Sequence, residues 1–185
     1  DWSSDVCSSD LSEVEVPGAV DPTIGGAPRW IPGQRALVFA ISDPASGLRQ
    51  AARLDIDSGQ LQFLTQDDGQ KDEAWLWHAP EFGGELALMT VANGCCLRFY
   101  REVDGQWTLV REIPASSFSP RPTIISPELL VHEGRSYVAM QVGQSRVSAS
   151  DTWMVAVAPD GLPPVQLSDP ARPEEIGRAS CRERV

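Results

Sequence analysis

Nowhere does this chain run through the roughly eighteen consecutive apolar residues that a membrane-crossing helix needs, so no helical membrane span is expected. Nowhere, too, does it hold a 3.6-residue apolar period, which leaves little room for helix. Cysteine is scarce, at four residues in 185. Cys95 and Cys96 are adjacent; one neighbouring pair is not a disulfide framework, and two side-by-side thiols are not a zinc site. Basic residues are outnumbered, 15 against 26 acidic ones, for a formal charge of −11. A phosphate backbone demands a basic face, so nucleic acid is not expected as a partner. The residue pattern calls for no cofactor.

The two ends read differently from the middle. Residues 1–11, DWSSDVCSSDL, and residues 175–185, closing on IGRASCRERV, resemble the translated arms of a short-read sequencing adapter. Such scars are set aside before fold reasoning. Cys7 and Cys181 go with them, and the charge moves from −11 to −9 once Asp1, Asp5, Asp10, Glu175 and Glu183 are removed with Arg178, Arg182 and Arg184. Deleting both tails is expected to leave melting unchanged. Residues 12–27 read as a lead-in strand or the end of a preceding unit.

What is there repeats three times. The unit at residues 28–65 opens on Pro28-Arg29-Trp30-Ile31-Pro32-Gly33, enters an apolar run, and turns at Asp57-Ser58-Gly59 into a last short run. The units at 72–114 and 124–168 repeat the scheme, turning at Asp104-Gly105 and Asp160-Gly161. Gly33, Gly83 and Gly134 stand about fifty residues apart, and Gly59, Gly105 and Gly161 keep nearly that step. Each unit holds four short runs rich in Val, Leu and aromatics, bounded by Gly, Pro or Asp turns. Four strands at this period predict a propeller blade. The expected fold is all-β: about three four-stranded antiparallel blades of an incomplete β-propeller, with Trp30, Trp75 and Tyr137 between or within blades. Closed rings have about four to eight blades, so the outer faces of the first and third units are expected to lack neighbours.

Trp30-Ile31-Pro32-Gly33 with its apolar strand, then Leu54-Asp55-Ile56-Asp57-Ser58-Gly59 and Leu61-Gln62-Phe63-Leu64-Thr65, resembles a TolB-like (WD40-like) repeat. The match is best across the first unit and looser in the others. The resemblance implies a scaffold that binds protein or carbohydrate across its disc face, in an extracytoplasmic setting. A fold resemblance does not by itself deliver a function.

Ligand contacts on such a disc come from loops joining one blade's outer strand to the next blade's inner strand. The richest candidate is the segment from Gln66 to His78, where carboxylates, a lysine, two tryptophans and a histidine crowd together. Asp72, Glu73, Trp75, Trp77 and His78, with Arg121 between two prolines, are the candidate ligand-binding residues. The competing reading is a solvated acidic turn followed by a strand whose tryptophans pack between blades. Asp67 and Asp68 carry oxygens a hard cation favours, but without EF-hand spacing, and no metal is expected.

Ala79-Pro80-Glu81 and Ser126-Pro127-Glu128 are similar to the acid-bearing strands of five-bladed arabinanases and xylosidases, and Asp21-Pro22-Thr23-Ile24 to the stretch holding their base. That alternative would make Asp21, Glu81 and Glu128 the catalytic carboxylates of a glycoside hydrolase, two of them about 6.5–9.5 Å apart as inversion requires. Register opposes it. Glu128 precedes Gly134 by six residues and Glu81 precedes Gly83 by two, which sets them at different heights unless a bulge intervenes. Cys95-Cys96, after Asn93-Gly94, reads as a redox pair or as one buried small hydrophobe beside a loop thiol. Arg146 is a further cation in a long loop.

Overall fold

The computed structural model describes residues 24–120, 122–143, 150–161 and 163–168. They form three four-stranded antiparallel sheets, each a meander of consecutive strands. Sheet 1 holds β1 (Gly25–Trp30), β2 (Ala36–Ser42), β3 (Arg49–Asp55) and β4 (Leu61–Phe63). Sheet 2 holds β5 (Lys71–Ala79), β6 (Glu85–Ala92), β7 (Cys96–Val103) and β8 (Gln106–Pro114). Sheet 3 holds β9 (Thr123–His132), β10 (Arg135–Gly143), β11 (Ser150–Ala156) and β12 (Val165–Gln166). Two single 3-10 turns, Pro80–Phe82 and Ala115–Ser117, are the helical pieces among the described residues. The protein is all-β, and three sheets of consecutive strands are compatible with a propeller-like fragment.

Local chemistry explains the hairpins. Asp104-Gly105 and Glu133-Gly134 are two-residue loops between the pairs Val103–Gln106 and His132–Arg135. Both residues of each loop have positive φ, 52° and 76° in one, 49° and 72° in the other. That is the twist a tight hairpin needs. At the β3–β4 turn the Asp55 carboxylate accepts from the Ser58 amide at 2.9 Å and its hydroxyl at 2.8 Å. An aspartate thus holds the turn from within.

Sheet 2 is packed on both sides. Along β5, Ala74 and Leu76 join Ile31, Val38, Ala51 and Leu64 of sheet 1, while Trp75, Trp77 and Ala79 join Val138, Met140 and Val155 of sheet 3. Period-two alternation sends successive side chains to opposite faces, so a strand covered on both faces reads as a nearly unbroken apolar run.

Trp30 departs from expectation: it is 65% exposed, whereas Trp75 is buried and Tyr137 half-buried. Trp30 pairs with Leu37 at the end of β1, on the face of sheet 1 turned away from sheet 2. The bare outer face expected for the first unit is also not what is found. Phe39, Ile41, Ala52 and Leu54 on that face are at most 2% exposed. The matching face of sheet 3 is looser, with Tyr137, Ala139 and Met154 half-buried and Gln141 exposed.

Candidate functional site

The first strands of the three sheets come together at one end, where loops tie them. Asn93 Oδ1 accepts from the Gln70 amide at 2.9 Å, and the Asn93 amide donates to the Gln70 carbonyl at 2.8 Å. Gln70 Oε1 accepts from the Arg49 amide at 2.6 Å. The Ile124 amide, on β9, donates to the Gly94 carbonyl at 2.7 Å. Between these ties lies a cavity of about 340 Å³, with Arg49, Asp72, Glu73 and Ser126 on its polar side and Val91, Ile124 and Ile125 on its apolar side.

Two features of the backbone open this space. A Cβ at Gly25 would stand 2.9 Å from the Asp72 carbonyl, and one at Gly26 (φ +66°) would run into the Glu73 carboxylate. Only glycine lets β1 lie this close to β5. On the far wall, Ser126 has φ of +46°. The pairs Ala139–Glu128 and Gln141–Ile125 show that Ser126 and Pro127 together oppose a single residue of β10. This bulge re-aims the start of β9, and Pro127 has no amide to leave unpaired there.

Asp72 and Glu73 both border the cavity. Asp72 binds the Arg49 guanidinium, whose Nε also donates to the Lys71 carbonyl at 3.3 Å. Trp75 and Trp77 are buried between sheets 2 and 3. The Arg29 guanidinium lies 4.0 Å over the Trp75 ring and binds both oxygens of Glu128 at 3.1 and 3.3 Å, so β1, β5 and β9 are joined in one contact. His78 is exposed, its Nδ1 3.1 Å from the Gly84 carbonyl. Arg121, Asp21 and Arg146 lie outside the described residues.

Glu81 sits past the far end of β5, on the 3-10 turn. It accepts from the Ser136 amide and, at 2.9 Å, from the Ser136 hydroxyl, which in turn accepts from Trp77 Nε1 at 3.0 Å. The eight residue steps of β5 span roughly 26 Å at strand rise, so Glu81 stands well away from the Asp72 cavity. It borders a separate hollow of about 260 Å³ with Phe82 and Arg135. Glu81 and Glu128 are thus each engaged by a different sheet, and Glu128 does not line the hollow beside Glu81.

The segment from Gln66 to His78, read as a ligand loop or a solvated acidic turn, also builds a buried cluster with Arg98 and Tyr100 that was not read in the sequence. Lys71, the only lysine in the chain, is fully buried. Its Nζ donates to the carbonyls of Asp67, Asp68 and Gly69 at 3.4, 3.2 and 3.0 Å and pairs with Asp67 Oδ1 at 3.1 Å. Asp67 Oδ2 accepts from Arg98 at 2.7 Å and from the Tyr100 hydroxyl at 3.0 Å. Burial lowers the Lys71 pKa, opposed by its bond to Asp67. Burial raises that of Tyr100, and the Asp67 charge adds to it. Burial works against the Arg98 charge, but hydrogen bonding to Glu112 and the neighbouring negative charge outweigh it and push its pKa up. A lone lysine opening an apolar strand just after two aspartates was the available signal.

Cys95 and Cys96 carry free thiols 2.8 Å apart. Burial, then hydrogen bonding to Cys95, pushes the Cys96 thiol up to about 12, leaving it protonated and unreactive near neutrality. No group of three or more His, Cys, Asp or Glu among the described residues is placed to hold a metal.

Fold and site together define an all-β protein of three consecutive four-stranded sheets with a mixed-charge cavity where their first strands meet. No family model matches the chain, and neither does any curated protein or solved structure.

Proposed function

We propose that this chain is part of a TolB-like β-propeller serving as a binding scaffold, with the cavity beside Asp72 and Glu73 as its contact site for a protein segment or a carbohydrate. The observation that carries the reading is the cavity itself: a concave space in which charged and polar groups converge beside an apolar wall, held open by the Gly25-Gly26 approach and the Ser126-Pro127 bulge. A rigid frame with loops gathered at one end suits recognition. The glycoside hydrolase alternative requires two carboxylates facing one sugar. Glu81 held by Ser136 and Glu128 held by Arg29 favour the scaffold reading over it.

The test is an NMR titration of the chain with a panel of short peptides and oligosaccharides. A binding probe is expected to move the amides of Gly25, Gly26 and Gly94, and exchange of Asp72 and Glu73 for alanine is expected to weaken it. If no probe moves those amides, the reading fails. Release of nitrophenol from an arabinofuranoside or xyloside above the buffer rate would favour the hydrolase.

A further inference from the structure

A second hollow, of about 440 Å³, lies between sheets 1 and 2 at their outer strands, β4 and β8. It shares no lining residue with the Asp72 cavity, and what is argued for it stands independently of the scaffold reading. Its size falls within the range of small-molecule sites. At its base are Asp67 and the buried Tyr100, joined through the tyrosine hydroxyl; at its rim are Gln62, Gln66 and Gln106, all exposed; the half-buried Trp107 forms one side.

Charge decides the class of ligand. Asp67 is answered by Lys71 and Arg98, and Arg98 also binds Glu112 at 2.6 Å. Asp67 is the one charged residue among those lining the hollow, and its charge is taken up by these two cations, so the lining is polar with its charge already paired. It has no surplus charge to hold a phosphate, a carboxylate or an ammonium group. The three amides each offer a donor and an acceptor, which is the demand of a hydroxyl group. The Trp107 ring offers the flat apolar surface that the C–H face of a sugar ring covers, while its other contacts are to the sheet 1–sheet 2 core.

We propose that this hollow binds a neutral oligosaccharide, one pyranose or furanose ring against Trp107 with its hydroxyls bonded to Gln62, Gln66 and Gln106. The experiment is calorimetric titration of the full chain with cellohexaose, maltohexaose, xylohexaose and arabinohexaose. At least one should bind in the micromolar to low millimolar range, and Trp107→Ala should weaken it by about tenfold or more. Because Trp107 also packs on the core, the exposed pair Gln62→Ala and Gln106→Ala is made as well. It should weaken binding several-fold with the melting temperature unchanged. Arg35→Ala, at an exposed ion pair with Asp57, should bind as the parent does. Absence of binding by all four sugars at millimolar concentration overturns the proposal, as does undiminished binding in both the tryptophan and the glutamine variants.

Discussion

On its sheet 3 side, β5 presents Trp75 and Trp77, and these meet Phe99, Met89, Val138 and Met140 in a dense apolar layer, with Trp77 set edge-on to Phe99 at 6.4 Å. On its sheet 1 side it presents Ala74 and Leu76, and the neighbours include Ala36 and Ala51. Small side chains bring the sheets close but withdraw less apolar surface from water. A polar seam borders that second interface. Gln50 and Thr65, both nearly inaccessible, bond each other at 2.6 Å, and Gln50 Nε2 donates to the Asp67 carbonyl at 3.0 Å. From Asp67 the seam continues to Lys71, Arg98 and Tyr100. One interface is held by volume and the other by satisfied hydrogen bonds. The first tolerates exchange among apolar residues of similar size; the second fails when a single partner is left alone.

The largest expected effect follows from that contrast. Phe99→Ala should cost about 3–5 kcal/mol, as truncation of a buried aromatic does, seen as a lower urea midpoint. Next comes Asp67→Ala, which leaves the Lys71 ammonium with carbonyls only; about 1–3 kcal/mol should be lost. Lys71→Met should cost less than Asp67→Ala, since an apolar replacement removes the buried charge with its partner's need. If the order is reversed, the polar seam does not hold the interface as described.

The same lysine sets a pH signature. Its folded pKa is depressed, so up to the ordinary lysine value of about 10.4 the unfolded chain binds more protons, and stability rises with pH through that alkaline window. Lys71→Met should remove the rise, measured as the difference between parent and variant midpoints so that Tyr100, whose raised pKa acts the opposite way above about 10, cancels.

Smaller effects belong to the volume-held interface. Glu81→Gln weakens the acceptor for the Ser136 amide and hydroxyl and should cost about 1–2 kcal/mol, with faster exchange of the Ser136 amide as the local readout. Arg29→Ala removes an exposed pair and a ring contact. It should cost about 1 kcal/mol or less, and the loss should shrink as salt is raised. A larger loss would mean that the Arg29–Trp75–Glu128 contact holds the three sheets together and is no surface ornament.

The strand meanders were legible because turns are local. Asp57-Ser58-Gly59 and Asp104-Gly105 mark hairpins from their own chemistry, and Gly33, Gly83 and Gly134 each fall between the first two strands of a sheet. Asp72 and Glu73, expected as ligand contacts because they follow a loop rich in charge, border the cavity. Arg49 was missed because it lies one sheet away and enters the cavity only through the packing of β3 on β5. Glu81 and Ser136, 55 residues apart, and Arg29 and Glu128, 99 apart, meet across sheets, and no periodicity records such pairs. The Ser126-Pro127 bulge changes the register on which the height of Glu128 depends, and alternation alone does not show it.

Lys71 also makes the molecule its own recorder. An amine-acylating reagent has no other side-chain target in the chain, and in the folded protein that target is sealed behind three carbonyls. Label at Lys71 therefore accumulates only as fast as the Asp67–Gly69 loop opens around it. A lysine-specific protease has a single cut, after Lys71, which divides sheet 1 from sheets 2 and 3. The rate of that one cleavage reads, without any engineered probe, how often the polar seam comes undone.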